Sequence, residues 1–368
     1  MAGTLALLFD RGGAGVVPRA RTAAGRTLAR RLSAITELNR VVIATRCPVD
    51  WEDVGGVEVV PDPAGPWAFG GRLAQLSSEF GAQQVAYFSA GSAFLMQEEE
   101  LARLFSAAPC APPYAILNNF YSVDFGLICP APSTLFRGLE RDNPLGLRLW
   151  EAGYTCYELP RTSGTQLDID TPGELQLLAL RPGLPEELRR ALDGVPRQRA
   201  QSLVETLSRP EGALLLAGRV GGHVMRLLEE EAACPVRFIS EGRGMEATGR
   251  AARGEVRSLL TALVDPPSRL VETLSKLAHG VVWDTRVLLA ARGLWPLPDD
   301  RFACDLLQTD AVQTPFLREL AEACARAPIP FLLGGHALVS GGMYLAVELA
   351  RPGIQLMPRR WRPLRLAK

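Results

Sequence analysis

The chain has 368 residues, 40 lysines and arginines against 40 aspartates and glutamates, and 47% hydrophobic residues. Its length is too great for one comfortable core, so two domains are expected. Zero formal charge excludes a broad basic patch for nucleic acid or an anionic membrane.

The start, "MAGTLALLFDRGG", has no basic segment before its apolar run, which Asp10 ends after six residues. It reads as a first strand and not as a signal peptide. "GRTLARRLSAITEL" follows with helical spacing at Leu28, Leu32, Ile35 and Leu38. "RVVIAT" and "VEVVPD" are strand-like, "GGRLAQLSSEFGA" helical and "QVAYFSAG" a strand. "MQEEELARLFSAA" is a helix with acids in its first turn, as its dipole prefers. "YAILNNF" and "DFGLICP" add two strands. Alternation at this spacing predicts a mainly parallel sheet with helices on both faces.

The stretch "QLDIDTPGELQLL", 166–178, then carries a T-x-x-E capping box: Thr171 at the N-cap, Pro172 at the first helical position, Glu174 at the third. Asp168 and Asp170 are not explained by capping. They alternate with Leu167 and Ile169 as on a strand about to end. Two carboxylates there suit a metal corner.

Residues 183–212 are polar, proline-rich and helical, and are expected to link a domain over 1–182 to a second over 213–368. The second shows its own alternation: "GALLLAGRV", "GHVMRLLEEEA", "PVRFISE", two helices across 254–278, "GVVWDTRVLLA", "TPFLRELAEACARA", "IPFLLGG", "SGGMYLAVELA" and "GIQLMP". "FLLGGHALVSGGMYLAV" is uncharged, but its glycines favour a buried strand, loop and helix over a membrane span. The seven cysteines are scattered without C-x-x-C, which fits reduced thiols in a cytoplasm.

Three places in the first domain carry a resemblance. "DRGGAGVVPRARTAAGR" is a glycine- and arginine-rich loop after the first strand; "YFSAGSAFLM" follows a middle strand; "LDIDTPGEL" closes the domain. Over about residues 3–180 the chain resembles nucleotidyltransferases of the glycosyltransferase-A fold, among them molybdenum-cofactor and phospholactate guanylyltransferase-like proteins. The resemblance implies a Rossmann-like mixed sheet for the first domain, while the second domain's own alternation predicts an α/β sandwich. The resemblance also implies transfer of a nucleotidyl group from a nucleoside triphosphate to a small phosphorylated acceptor. Arg11, Gly12, Gly13, Arg19 and Arg26 would bind phosphate with Gly91 and Ser92, and Asp168 and Asp170 would hold Mg2+. Lysine occurs only at positions 276 and 368, so the phosphate-binding cations must be arginines. Ser92 stands where the family has its metal-binding aspartate, and a serine hydroxyl is a poor magnesium ligand. Asp124 is a replacement carboxylate or simply a turn residue before a strand. The alternative is a non-catalytic domain binding nucleotide or sugar phosphate.

The second domain resembles no known family, and its site residues are read from chemistry alone. Glu241, Arg243, Arg250 and Arg253 lie among glycines between a strand and a helix, a phosphate-binding or merely flexible loop. Asp284 and Arg286 at i, i+2 would share a strand face, as a structural ion pair or a functional one. Asp299, Asp300, Arg301 and Asp305 suit a capped, solvated loop. His223 and His279 fall at helix ends. In "GGHALVSGG", His336, Ser340, Gly341 and Gly342 suggest an anion site at a glycine-rich helix entry. These features leave room for an active site in the second domain. The partners implied are a nucleoside triphosphate or another phosphorylated small molecule, with no nucleic acid and no membrane; a homo-oligomer is left open.

Overall fold

A computed structural model describes residues 3–106, 109–354 and the backbone of 362–363. Among them the chain divides into two compact units. One runs to Asp168 and takes in Arg362–Pro363; the other begins at Ile169.

The first unit carries β1 (Thr4–Asp10), α1 (Val16–Ser33), β2 (Leu38–Thr45), β3 (Glu58–Pro61), α2 (Phe69–Glu79), β4 (Gln84–Ser89) and α3 (Glu98–Ser106). It continues with β5 (Tyr114–Leu117), β6 (Phe125–Cys129), α4 (Ser133–Phe136), α5 (Leu145–Glu151), β7 (Thr155–Glu158) and α6 (Ser163–Gln166). Its sheet has the order β3-β2-β1-β4-β6-β5-β7, closed by a short antiparallel pairing of Arg362–Pro363 with β7. Within β1 to β7, β6 alone runs against its neighbours, β4 and β5, so the sheet is mixed, as expected. Alternation along β1 puts Leu5, Leu7 and Phe9 in one core with Phe69, Leu73 and Leu76 of α2 and Tyr87 of β4. Asp10 pairs with Thr45, and Phe9 with Ser89. The carboxyl ends of β1, β2 and β4 therefore open on one edge.

The second unit contains α7 (Pro172–Leu178), α8 (Glu186–Ala191), α9 (Gln198–Leu207), β8 (Leu214–Gly218), α10 (Gly222–Glu231), β9 (Val236–Ser240), α11 (Leu259–Leu263), α12 (Pro267–Ser275), β10 (Gly280–Asp284) and α13 (Arg286–Ala291). It ends with α14 (Pro298–Asp305), α15 (Pro315–Arg326), β11 (Phe331–Gly334), α16 (His336–Val339) and α17 (Gly341–Ala350). All four strands are parallel, in the order β9-β8-β10-β11. Leu215, Val281, Trp283, Phe331 and Leu333 form one side of its core with α12 and α15.

Three expectations need correction. Residues 183–212 do not form a linker: a side chain at Gly280 of β10 would meet Leu203 of α9 at 2.5 Å, and Leu203 and Leu207 are buried. The polar face of α9 had suggested a solvated spacer. Second, Leu167–Asp170 is not a strand. Third, the strand over "GVVWDTRVLLA" stops at Asp284, and Arg286 begins a helix, so the two do not share a strand face. Most of "GIQLMP" lies outside the described residues. No helix among them is long and apolar enough to cross a membrane.

Candidate active site

The loop joining β1 to α1 is built by Asp10. Its carboxylate is buried and accepts from the Gly12 N–H at 3.1 Å, Thr22 Oγ1 at 2.8 Å and Trp51 Nε1 at 3.1 Å. The chain then turns through Gly12 at φ +58°, where a Cβ would stand 2.6 Å from Cys47 Sγ. Only glycine meets both demands. The turn ends at Gly15, which opens an 18-residue helix without a side-chain cap. The first N–H groups of that helix and its positive dipole end are thus available to an anion.

Three arginines converge here. Arg11 follows Asp10 and Arg46 follows Thr45, so parallel pairing of β1 with β2 sets them side by side. Arg21 comes from α1, its Nη2 lying 3.5 Å from Ser89 Oγ. The Arg11 guanidinium lies over the Trp67 ring, 5.1 Å from its centroid. Partial burial, then the charges of Arg46 and Arg21, lower the pKa of Arg11, against an opposing pull from Asp62. Asp62 is itself paired with buried Arg72 at 2.8 Å. Like charges held this close repel, and a multiply charged anion would relieve that repulsion.

Asp168 joins this edge, for its Oδ1 lies 3.3 Å from Ser89 Oγ. Arg19 is exposed in the second turn of α1, where its backbone N–H bonds to the carbonyl of Gly15. Arg26 is elsewhere. It lies buried in α1, donates to the Asp50 carbonyl, and pairs with Asp53 at 2.6 Å. Its role is structural. Asp10, Arg46 and Trp67 were missed in the sequence; an acid closing an apolar strand beside a glycine run was the available signal for Asp10.

The turn after β4 does not face the loop's anion site. Gly91 and Ser92 are buried, and Ser92 Oγ donates to the carbonyls of Ser89 and Asp124 at 2.8 and 3.3 Å. Asp124 is held by Asn118, whose Nδ2 donates to Oδ2 at 2.9 Å. The donor set does not fit a protein-held magnesium ion. Among the described residues no three His, Cys, Asp or Glu side chains are grouped to hold a metal. Asp170 is exposed and belongs to the second unit. Its neighbours do form the capping arrangement: Glu174 accepts from the N–H groups of Asp170 and Thr171 and from Thr171 Oγ1.

In the second unit, the N-terminal end of α17 is closed. Ser340, Gly341 and Gly342 are buried, and a Cβ at Gly342 would touch Leu338 and Leu177 at 3.4–3.5 Å. The expected anion site at those three residues is therefore not formed, because this helix start is buried against Leu338 and Leu177. "GHALV" makes a short helix instead of a loop, with His336 at its start. In the loop after β9, Arg250 donates to the Arg243 carbonyl and Arg253 pairs with Glu255, leaving Arg243 exposed. Arg286 pairs with Asp305 at 2.5 Å, both buried, and Asp284 pairs with Arg219. Asp305, expected in a solvated loop, ends helix α14.

No protein-family model matches the chain, and no curated protein matches it. Several solved structures are similar at a distance. One is a CMP:2-keto-3-deoxy-manno-octonic acid synthetase complexed with CTP, 12% identical over 48% of this chain and 97% of that one, with TM-score 0.36. A cytidylyltransferase from Leptospira borgpetersenii serovar Hardjo-bovis is 14% identical over 52% and 92%, with TM-score 0.38. The bifunctional IspDF from Campylobacter jejuni is 7% identical over 45% of this chain and 51% of its own length, with TM-score 0.34. Identities this low transfer no activity, so the site's own residues must bear the functional reading.

Proposed function

We propose that the first unit is a nucleotidyltransferase-like site that takes the polyphosphate of a nucleoside triphosphate on the β1–α1 loop. The carrying observation is the meeting of Arg11, Arg21 and Arg46 at an uncapped helix start. Guanidinium groups bind phosphate oxygens in pairs and stay charged in all conditions of interest. In transfer, an oxygen of a phosphorylated acceptor attacks the α-phosphorus. The bond to the bridging oxygen breaks, and pyrophosphate leaves with the electron pair. Arginines fixed before the reaction stabilise the charge that gathers on the leaving group. Asp168, beside Ser89 and Arg21, is suited to orient the acceptor. No step in this reading runs through a metal ion held by the protein. Magnesium would enter on the triphosphate, as its preference for phosphate and water ligands allows.

A second reading is nucleotide or sugar-phosphate binding without transfer. It is favoured by Ser92, whose hydroxyl is spent on backbone carbonyls. Calorimetric titration of the four nucleoside triphosphates, followed by pyrophosphate-release assays over a panel of sugar phosphates, separates the two. Binding weakened about tenfold in Arg46→Ala, with pyrophosphate release in the parent, supports transfer. Binding without release against any acceptor supports the second reading, and no binding of any triphosphate would sink both.

A further inference from the structure

We propose that the second unit binds the phosphate group of a small phosphorylated molecule, held by Arg219, Arg243 and His336 at the carboxyl edge of its parallel sheet. This goes beyond the reading of the first unit and does not depend on it. The strand order β9-β8-β10-β11 sends successive connections to opposite sides of β8. In parallel sheets of this order the ligand crevice lies where they diverge, which here is between β8 and β10.

Each of the three groups reaches that point from a different element. Gly218 ends β8 at φ +105°, and a Cβ there would lie 2.6 Å from that of Asp284. The chain therefore folds onto the end of β10 and sets Arg219 against Asp284. Arg219 Nε and Nη2 bond to its carboxylate at 2.5 and 3.1 Å. Asp284 is fully buried and fixes the guanidinium plane. A guanidinium has five N–H donors, and no partner among the described residues takes Nη1. Arg286 offers no such edge because Asp305 holds it.

Helix α16 leaves β11 and crosses back over β10 and β8, bringing His336. Its Nδ1 is buried without a hydrogen-bond partner. A bare lone pair there costs less than an unpaired N–H, which puts the proton of the neutral ring on Nε2. Nε2 is unpaired and not enclosed. Arg243 supplies the third group from the loop after β9. It is exposed, and a Cβ at the preceding Gly242 would stand 2.7 Å from Val287 in the first turn of α13, which sets this loop at the carboxyl end of β10. Helix α10 starts on the same loop as Arg219, ten residues long and without a side-chain cap. Asp284 and Asp170 are the acidic groups whose charges act on the ring. Donors supplied by three separate elements at one sheet edge suit the several oxygens of a phosphate. A planar carboxylate would be served by one arginine fork alone.

The test uses the full chain carrying Arg11→Ala, Arg21→Ala and Arg46→Ala, so that the first unit is silent, titrated with inorganic phosphate and with phenyl phosphate at constant ionic strength. Phosphate binding should persist in this background. Adding Arg243→Ala, an exposed change, should weaken it about tenfold, and His336→Gln by a similar factor. Unchanged binding in Arg243→Ala would overturn the assignment, whatever His336→Gln does to folding. Absence of phosphate binding in the silent background would also overturn it, while leaving nucleotide binding by the parent intact as evidence for the first unit.

Discussion

Ser92 Oγ donates to the carbonyl of Ser89 at 2.8 Å, closing the turn after β4 upon itself. An aspartate at position 92 would put an ionised carboxylate where only carbonyl oxygens stand, since Asp124 offers its carbonyl at 3.3 Å as well. An uncompensated buried charge costs about 3–5 kcal/mol. Ser92→Asp should therefore lower stability by roughly that much and leave triphosphate binding no more magnesium-dependent than before. Urea denaturation and titration with and without EDTA check both. A fully stable variant that gained magnesium-dependent affinity would mean that the turn opens to the site.

Arg46 and Arg26 should separate binding from stability. Arg46 is exposed beside Arg11, so Arg46→Ala should weaken triphosphate binding about tenfold and leave the melting temperature unchanged. Arg26 is buried, and its bond to the Asp50 carbonyl has no replacement in alanine. Its partner Asp53 is mostly exposed, which limits the worth of the ion pair. Arg26→Ala should cost about 1–3 kcal/mol of stability without reducing affinity in the folded fraction. The opposite pattern, lost affinity at full stability, would put Arg26 back in the phosphate site.

Strands such as "TLALLF", "LLLAG" and "FLLG" were legible as short uninterrupted apolar runs, and the Thr171–Glu174 cap was legible because its spacing is local. Arg46 was not legible. A lone arginine after a strand becomes part of a site only through the pairing of Asp10 with Thr45, a contact between distant stretches of chain. Arg26 was misplaced for a related reason: composition shows a cation near the loop, but helical phase turns it toward Asp50 and Asp53. In "VVWDTRVLL" the backbone changes from strand to helix at Thr285, and period-2 reasoning fails at the residue that matters.

Glu174 should make stability fall on the alkaline side. Its pKa is raised to about 8, first by burial and then by the charge of Asp170, against the hydrogen bonds from Thr171. The folded chain thus holds a proton that the unfolded chain releases near the ordinary carboxyl value of 4.5. Its contribution is whole below that value and is lost as pH rises through about 8. Glu174→Gln, which keeps an acceptor for the Thr171 N–H, should flatten the decline measured by urea denaturation between pH 5 and 8. Asp170→Asn should reduce it. An unaltered slope in both variants would show that Glu174 does not titrate in that range.

His336 should act with the opposite sign on the acid side. Burial, then Arg219, lowers its pKa to about 4; Asp284 and Asp170 oppose the shift and Arg243 adds to it. A histidine whose folded pKa lies below its unfolded value near 6.5 resists protonation only while folded. Its contribution is whole above 6.5 and is lost as pH falls toward 4. His336→Gln should remove that part of the acid loss, while the alkaline limb from Glu174 stays in place. Histidine ring-proton titration by NMR gives a direct reading, because one of the three rings should titrate near pH 4. Phosphate should then raise that midpoint, since a bound anion favours the protonated ring. A midpoint that phosphate leaves unmoved would place the anion away from His336.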